Sequence, residues 1–366
     1  MEARVITVEG VVSEYGTPMG AVSLTTSLAM GSVCVVAVAA LTGLARELLR
    51  RHGVMDRPGE RSSHQTAVPR GGGIVVIGVL LAAWLALWLS GASASSEANF
   101  WIALVGALGL AAVSWLDDLR GGLSVVLRLG AQALAVGAGI ASLPGDGLIL
   151  QGTVPALVDH ALAAAAWLWF VNLFNFMDGI DGLSGVESAS LGLGTFLLAL
   201  LGTIPAGLGP LGLALAGVSL GFLFWNWHPA RIFLGDVGSV PLGYLAGWLM
   251  LALAASGAWQ AALLLPAYYL ADATVTLAHR LLRGQRVWQA HREHFYQRVV
   301  AAGWSHGRTT AVIGGHNLLL MGLALSSQQS WAAAAAALAA GAMLVATLLW
   351  YLHAAARASC GASKRA

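Results

Sequence analysis

The chain has 366 residues, of which 58% are hydrophobic and 10% charged, and its mean hydropathy is +0.75. A soluble domain carries about 25% charged residues, so the composition excludes a soluble globular protein and indicates an integral membrane protein with the lipid bilayer around it. The formal net charge of +2 says little, because the placement of charge in a membrane protein matters more than its sum. No nucleic-acid partner is expected. Cys34 lies in an apolar run and Cys360 near the C-terminus, so neither a disulfide framework nor a catalytic thiol is expected.

The N-terminal segment differs from the rest of the chain. Residues 1–22 contain three glutamates and no apolar core, which argues against a cleaved signal peptide. We therefore divide the chain into an N-terminal extension (1–22), a transmembrane domain (23–356) and a cytoplasmic tail (357–366).

Apolar runs dominate the sequence after this extension. A spanning α-helix needs about 20 mostly apolar residues, and eleven runs approach that length, so the sequence predicts an all-α, polytopic membrane protein with about eleven transmembrane helices. The runs lie near residues 25–45, 71–90, 99–116, 125–143, 156–174, 184–204, 207–225, 239–256, 259–279, 309–326 and 331–353. Aromatic residues toward the ends of these runs are interpreted as an interfacial belt: Trp84, Trp101, Trp167, Trp227, Trp350 and Tyr351.

Basic residues are distributed unevenly between the connections. Of the 19 lysines and arginines, 18 fall on connections of one parity, and Arg4 falls on the other. The positive-inside bias places the basic connections in the cytoplasm, with the N-terminus outside and the C-terminus inside. Most of the clustered polar residues described below share that parity, so we expect one polar site that faces the cytoplasm.

The first basic connection ends in Arg70, which three glycines (71–73) follow directly before the second run. Backbone amides in such a segment are free to meet an anion, and Arg70 adds positive charge, so we predict that Arg70 binds substrate. A positive-inside anchor with a flexible hinge is the alternative.

Two adjacent carboxylates, Asp117 and Asp118, end the third run. They are costly at a membrane boundary unless a metal, a cation or water relieves them, and their crowding suits one of them to accept a proton or hold a cation. Arg128, at the start of the fourth run, can return toward the pair or grip a phosphate. We predict catalytic roles for these three residues; a solvated loop turn is the alternative.

Four polar residues at intervals of three close the fifth run: Asn172, Asn175, Asp178 and Asp181. On an α-helix this spacing forms one polar wall. Carboxylates and carboxamides without a nearby cation suit a hard cation such as Mg²⁺ and the phosphates that it carries. The alternative is a helix end whose Asn and Asp side chains cap neighbouring turns.

A glycine-bracketed carboxylate, Asp236, lies just before the eighth run, three residues after Phe233. Its side chain and the following amides point to the same place, which favours a metal ligand; a turn residue is the alternative. Phe233 is predicted either to stack on a base or to pack in the fold.

The largest cytoplasmic loop carries His291, His294 and Arg298. In a helix these three would line one stripe that suits contact with a pyrophosphate, whereas zinc is disfavoured because a third ligand is lacking. An amphipathic interfacial helix would need no ligand. Asp272, an acid inside the ninth run, is either functional or paired with an arginine of this loop.

Together, these motifs resemble those of the polyprenyl-phosphate N-acetylhexosamine-1-phosphate transferases, glycosyltransferase family 4. The resemblance covers residues 45–308 and rests on blocks in family order: Pro69-Arg70-Gly71-Gly72-Gly73, Asp117-Asp118, the Asn172–Gly182 segment, Phe233–Ser239 and the His291–His294 segment. It implies that Asn175 and Asp236 hold Mg²⁺, with Mn²⁺ as the alternative ion. It also implies that Asp117 is the base or a lipid-phosphate contact beside Asp118, that Asp178 and Asp181 contact the nucleotide-sugar, and that His291 and His294 close on the diphosphate.

The resemblance also suggests substrates and a cellular setting. It implies a UDP-sugar donor, an undecaprenyl phosphate acceptor and a site on the cytoplasmic face of the bacterial inner membrane, with Asn172, Phe233 and Arg298 among the substrate contacts. The basic positions near the paired aspartates are arginines, where the peptidoglycan branch has a longer run of histidines and lysines. This favours the branch that initiates O-antigen or exopolysaccharide synthesis and leaves open which N-acetyl sugar is transferred. A homodimer is left open as well.

A cation- or proton-coupled transporter is the rival interpretation. Its acids should lie near the bilayer midplane on broken helices, whereas most acids here lie at predicted cytoplasmic ends, with Asp272 as the main exception. A non-catalytic scaffold would have no reason to gather these acids on one face.

Overall fold

The apolar runs form α-helices in a computed structural model, which describes residues 21–56, 67–92, 100–120, 122–143, 147–286 and 291–363. The helices are α1 (Ala21–Arg51), α2 (Gly73–Leu89), α3 (Phe100–Arg120), α4 (Val125–Gly139), α5 (Ala156–Met177), α6 (Leu183–Leu200), α7 (Leu208–Asn226), α8 (Asp236–Ala255), α9 (Trp259–Leu264), α10 (Ala267–Leu282), α11 (Phe295–Ala301), α12 (His306–Ser326) and α13 (Trp331–Ser363). A 3-10 turn, Ile140–Ser142, extends α4, and a short antiparallel sheet pairs β1 (Met55–Asp56) with β2 (Val68–Pro69).

Within the described ranges, nine helices are long and apolar enough to cross a membrane: α1, α3 to α8, α12 and α13. Helix α2 is also apolar but has 17 residues. The all-α class and the multi-pass membrane architecture are therefore confirmed. The number of eleven spans and the sides on which the termini lie stay predictions.

The ninth run, predicted as one helix over 259–279, is divided into α9 and α10, and Pro266 directly precedes α10. Proline lacks a backbone N–H, and its ring clashes with the preceding turn of a helix, so the first segment ends after six residues. The prediction of a continuous helix was wrong here, although the proline is visible in the sequence.

The domain boundaries stay predictions. Most of the N-terminal extension, residues 1–20, lies outside the described part of the chain, as do residues 364–366. Helix α13 continues to Ser363, so the boundary placed between 356 and 357 falls inside a helix.

Helix α8 is the buried centre of the protein. All its residues from Val237 to Ala254 are buried, and the helix packs against α3 and α5. Because Asp236 is the first residue of α8, its carboxylate lies at the N-terminal end of this central helix.

Aromatic side chains fill the space around α8. Trp167 stacks on Tyr244 with ring centroids 4.5 Å apart, and its indole N–H donates to the Tyr244 carbonyl at 2.8 Å. Trp84 and Trp167 are 0% and 1% exposed, so their prediction as interfacial belt residues was wrong. The other four predicted belt residues are exposed.

Helices α2 and α8 meet at a glycine pair. A Cβ atom built on Gly73 would overlap the backbone of Gly238. This approach requires glycine, since only a residue without a side chain lets the two backbones touch. It brings the start of α2, and with it Arg70, next to the start of α8.

Candidate active site

Arg70 joins two of the predicted site acids. Its guanidinium lies 3.0 Å from Asp118 Oδ1 and 2.8 Å from Asp236 Oδ1. Burial by itself would lower the pKa of Arg70, but the charges of Asp236 and Asp118 outweigh it and raise the pKa. Arg70 therefore brings together carboxylates from the end of α3 and the start of α8. Its predicted role as a substrate contact stays a prediction.

The glycine amides after Arg70 are used within the fold. The N–H groups of Gly71 and Gly72 donate to the carbonyl of Phe233 at 3.2 and 2.9 Å, and that of Gly73 donates to the Leu234 carbonyl at 2.9 Å. The expectation that these amides are free for an anion was wrong. They instead fasten the Arg70 segment to the segment that carries Asp236.

The predicted polar wall is divided by the end of α5. The helix ends at Met177, so Asn172 and Asn175 lie on its last turns, whereas Asp178 is the C-terminal cap and Asp181 lies in the following turn. Gly182, with φ of 77°, directly precedes α6 as its N-cap residue. A single helical face through all four residues was therefore a wrong expectation, and the four side chains face different partners.

Asn175 and Asp236, the predicted metal ligands, come from facing helices. The Asn175 Oδ1 accepts a hydrogen bond from Ser239 Oγ at 2.5 Å, on the first turn of α8. In the described part of the chain, the Asp118 Oδ2 atom is buried without a hydrogen-bond partner. Carboxylate and carboxamide oxygens are the donors that Mg²⁺ and Mn²⁺ take, so the residues fit such an ion, whose presence stays a prediction.

An apolar cavity of about 470 Å³ opens on one side of this pair, between α3, α4, α5 and the start of α8. Leu110, Leu129 and Leu168 are among its apolar walls. Its polar lining residues are Ser114, Asp117, Arg128, Gln132, Asn172, Asn175 and Asp236. The cavity therefore offers a long apolar ligand a groove with charged and polar groups.

Two groups of contacts hold the polar side chains of this apolar cavity in place. Arg128 lies 3.4 Å from Asp117 Oδ2, and Asp117 Oδ1 accepts a hydrogen bond from the backbone N–H of Leu123. Asn172 donates to the Gln132 side chain and to the Leu168 carbonyl, both at 2.8 Å. Of the two alternatives for Arg128, the structure shows the return toward the aspartates, at Asp117. Its contact with a phosphate stays a prediction.

A polar cavity of about 250 Å³ opens on the other side. Its walls include Arg70, Asp178, Asp181 and Phe233, all predicted substrate contacts, together with Asp56, Asn226 and His306. Among the described residues, Asn175 and Asp236 are the two that line both cavities. The predicted metal ligands therefore form the boundary between an apolar groove and a polar pocket.

Asp178 lines this polar cavity, and the residue after it packs closely against the side chain of Tyr296. Burial raises the pKa of its carboxyl to about 6, against a lowering by a hydrogen bond with Ser184. A Cβ atom on the next residue, Gly179, would overlap the hydroxyl of Tyr296. That hydroxyl donates to the Phe176 carbonyl at 3.0 Å, so the loop of the predicted histidine pair is tied to the end of α5.

The arrangement of His291, His294 and Arg298 differs from the helical stripe considered from the sequence. Helix α11 begins at Phe295, so His291 and His294 precede it, and neither lines the two described cavities. Their rings stack 4.9 Å apart, and the Arg298 guanidinium lies 5.5 Å from the Phe295 ring. The common helical face for the three residues was a wrong expectation, while their roles toward a substrate stay predictions.

The structure also shows two histidines in contact with Asp181 that the sequence did not single out; of these, His306 lines the polar cavity. Asp181 Oδ2 lies 2.7 Å from His228 Nδ1, and Asp181 Oδ1 lies 3.1 Å from His306 Nδ1. His228 lies in the segment before Asp236, where the sequence predicts Phe233 and Asp236 as the site residues. His306 follows Asp181 by 125 residues, and no local pattern in the sequence connects the two.

The sequence of this chain is similar to those of several known proteins. Residues 100–254 match the model of glycosyl transferase family 4. The chain is 30% identical over 313 residues to the decaprenyl-phosphate N-acetylglucosaminephosphotransferase of Mycolicibacterium smegmatis, covering 74% of this chain and 75% of that protein. It is 28% identical over 296 residues to a probable undecaprenyl-phosphate N-acetylglucosaminyl 1-phosphate transferase of Bacillus subtilis, covering 77% and 79%. It is also 29% identical over 335 residues to the phospho-N-acetylmuramoyl-pentapeptide-transferase of Symbiobacterium thermophilum, covering 82% and 92%.

The chain belongs to glycosyl transferase family 4. This family member is thus a membrane-bound phosphotransferase, and the resemblance deduced from the motifs is confirmed. The matched region contains Asp117, Asp118, Asn175 and Asp236, whereas Arg70 and the histidine loop lie outside it. No comparison supports the transporter considered as the rival interpretation.

Proposed function

We propose that this family member transfers an N-acetylhexosamine 1-phosphate from a UDP-sugar to a polyprenyl phosphate, undecaprenyl phosphate in particular, and releases UMP. The observation that carries the proposal is the position of Asn175 and Asp236, which line both the apolar and the polar cavity. A reaction that joins a lipid phosphate to a nucleotide-sugar needs one polar centre with an apolar site on one side and a polar site on the other.

The apolar cavity suits the acceptor. Its leucine walls can pack against an isoprenoid chain, while Arg128 supplies a positive charge for the lipid phosphate. Asp117 lies against Arg128 and can orient that arginine or the attacking phosphate. Little base strength is needed, because a phosphate monoester is largely ionised near neutral pH.

The polar cavity suits the donor. Phe233 offers a ring on which a uracil base can stack, and Asp178 offers a hydrogen-bonding group for a sugar. The charge of the donor diphosphate needs positive partners, which Arg70 at the wall can supply in part. In addition, we propose that the histidine loop contacts the donor when it closes, with hydrogen bonds from His291 and His294 and positive charge from Arg298.

Asn175 and Asp236, with the unpaired oxygen of Asp118 beside them, would hold Mg²⁺ or Mn²⁺. Such an ion would neutralise charge on the phosphates during transfer. The residues of the chain determine the alignment: Arg128 holds the acceptor phosphate on one side, and the polar cavity holds the donor on the other. An acceptor oxygen forms a bond to the sugar-bearing phosphorus while the bond from that phosphorus to the UMP oxygen breaks.

The finer assignments follow from the sequence. The placement of arginines and lysines supports a cytoplasmic site in a bacterial inner membrane, and we propose N-acetylglucosamine as the first sugar to test, since several related proteins are named for it. The arginines near Asp117 favour initiation of O-antigen or exopolysaccharide synthesis over the peptidoglycan branch. We also propose that the chain forms a homodimer.

The test uses the full chain purified in detergent, with UDP-N-acetylglucosamine, undecaprenyl phosphate and Mg²⁺. We expect UMP release together with a lipid-linked sugar diphosphate detected by mass spectrometry. The Asn175→Ala and Asp236→Ala variants should lose turnover, whereas Glu47→Ala, which removes a carboxylate paired with surface arginines of α1, should keep it. Full Mg²⁺-dependent turnover in either site variant would refute the metal assignment, and ion uptake into proteoliposomes without UMP release would favour a transporter.

A further inference from the structure

The carboxylate of Asp181 is occupied by protein groups. Its Oδ2 lies 2.7 Å from His228 Nδ1 and accepts the Ala230 backbone N–H at 3.1 Å, while its Oδ1 lies 3.1 Å from His306 Nδ1. The side chain is 7% exposed. Burial alone would raise the pKa of Asp181, but the hydrogen bonds from His306 and His228 outweigh it and lower the pKa. A carboxylate engaged in this way holds other side chains and is a poor direct contact for a nucleotide-sugar.

The ring of His306 is fixed by these contacts. His306 is the first residue of α12 and is 7% exposed. One turn along the same helix, Thr310 Oγ1 donates to the Asp181 carbonyl at 2.8 Å. The Nδ1 atom of His306 lies closer to the Asp181 carboxylate, at 3.1 Å, than to the Asp181 backbone N–H, at 3.4 Å. Both contacts, with the carboxylate and with the donating Asp181 N–H, use Nδ1 and therefore leave Nε2 for a ligand.

The polar cavity needs such a group. Its described lining residues include four carboxylates, Asp56, Asp178, Asp181 and Asp236, but only two basic side chains, Arg70 and His306. Arg70 is already paired with Asp118 and Asp236. A diphosphate that enters this cavity therefore meets an excess of negative charge, and His306 adds a second basic group to Arg70 for contact with it.

We propose that His306 binds the diphosphate of the nucleotide-sugar through Nε2 and that Asp181 is a positioning residue which acts through His306. This inference rests on the proposed function and revises the expectation that Asp181 itself contacts the donor. In the complex the ring lies between two negative partners, the carboxylate at Nδ1 and the diphosphate at Nε2.

His228 provides a matched control. It contacts the same carboxylate as His306, but its side chain is 37% exposed and it is absent from the described lining of the polar cavity. If His228 is removed, the Ala230 N–H still donates to the same oxygen of Asp181. Both histidines therefore contact Asp181, but of the two only His306 is among the described residues that line the polar cavity.

The first experiment measures the dissociation constant of UDP with Mg²⁺ on the purified full chain. We expect His306→Ala to weaken UDP binding on the order of 10- to 100-fold, the range of one charge-assisted hydrogen bond, while His228→Ala stays within about threefold of the wild type. His306→Gln, which keeps a neutral donor, should recover part of the loss. Equal effects of the two alanine variants would overturn the role of His306.

A double-mutant cycle tests how Asp181 acts. Asp181→Asn alone should weaken UDP binding, and adding it to His306→Ala should cause no further loss, because a positioning residue has no effect once its target is absent. If the two losses multiply, Asp181 contacts the donor directly and the positioning role is overturned. The three side chains also have the spacing of a metal site, so a stoichiometric transition metal in the wild type that Asp181→Asn removes would overturn it too.

Binding and turnover separate this inference from the function on which it rests. If the wild type binds UDP with Mg²⁺ but forms no lipid-linked product, the proposed transfer reaction fails, and the variants still decide the role of His306. If the wild type does not bind UDP at all, both proposals are refuted.

Discussion

Asp272 Oδ1 lies 3.1 Å from His294 Nδ1, and both side chains are almost completely buried, at 0% and 2% exposed. The same carboxylate accepts the backbone N–H groups of Phe295 at 3.1 Å and Tyr296 at 3.4 Å, at the start of α11. Hydroxyl groups of Tyr268 and Thr276 complete its partners. The acid on α10 therefore fixes the histidine loop, and it does so through a histidine and not through the arginine pairing considered from the sequence.

Asp272→Asn should loosen this loop. The variant keeps the shape of the side chain but loses the charge that strengthens these hydrogen bonds, each of which is worth about 1.5–3 kcal/mol when one partner is charged. We expect faster amide hydrogen exchange at Phe295 and Tyr296 and a lower transfer rate. Asp159→Asn is the matched control, because Asp159 is equally buried and accepts the N–H groups of Ile149 and Leu150. A loop that exchanges no faster in Asp272→Asn than in the control would contradict this role.

Gly73→Ala should destabilise the protein. The new methyl group would overlap the backbone of Gly238, and since backbone cannot rotate away as a side chain can, α2 must shift from α8 at a cost of about 1–3 kcal/mol. A lower melting temperature in detergent and a lower transfer rate should follow, because Arg70 moves with α2. Gly78→Ala on the same helix meets nothing within 4 Å and should behave as the wild type. A normal melting temperature for Gly73→Ala would show that the helices separate at no cost.

Arg70→Gln should impair transfer strongly. Removing the guanidinium leaves Asp118 and Asp236 close together without their shared counter-charge, and the carboxylates then repel each other and the donor diphosphate. We expect the loss of these charge-assisted hydrogen bonds to raise the barrier by about 1.5–3 kcal/mol, equivalent to a rate decrease on the order of 10- to 100-fold. The control is Arg50→Gln, which removes an exposed arginine paired with Glu47. Comparable rates for the two variants would contradict the role of Arg70.

The histidine loop should open more readily as the pH falls. Burial, with smaller contributions from His294 and Arg280, lowers the pKa of His291 from its ordinary value of 6.5 to about 4. Between these two values the opened loop binds a proton that the closed loop does not, so the closed state loses stability as the pH falls from about 6.5 toward 4.

Limited proteolysis of the loop, compared at pH 7 and pH 5, measures this effect. The wild type should be cleaved faster at pH 5 after correction for the activity of the protease, and His291→Gln should show a smaller difference because its side chain does not titrate. Equal protection of the wild type at both pH values would rule out the expected opening.

The structure corrects several local expectations drawn from the sequence, and for a common reason. Hydropathy shows that Trp84 and Trp167 avoid water, but it does not distinguish a side chain that faces lipid from one that packs against α8. The spacing of Asn172, Asn175, Asp178 and Asp181 predicts one helical face only as long as the helix continues, and the helix ends before the third of them. The exposure of a glycine amide likewise depends on whether a carbonyl from a distant segment reaches it, as that of Phe233 does for Gly72.

The sequence by itself determined the all-α membrane class, the order of the motifs and the family, because apolar runs and short motifs are local properties of a chain. Only the tertiary structure decided which charges meet: Arg70 with Asp118 and Asp236, Asp272 with His294, and Asp181 with His306. In the last of these pairs the residues lie 125 positions apart. Whether two such side chains come into contact depends on how the helices between them pack, and helix packing is set by contacts that the spacing of residues does not specify.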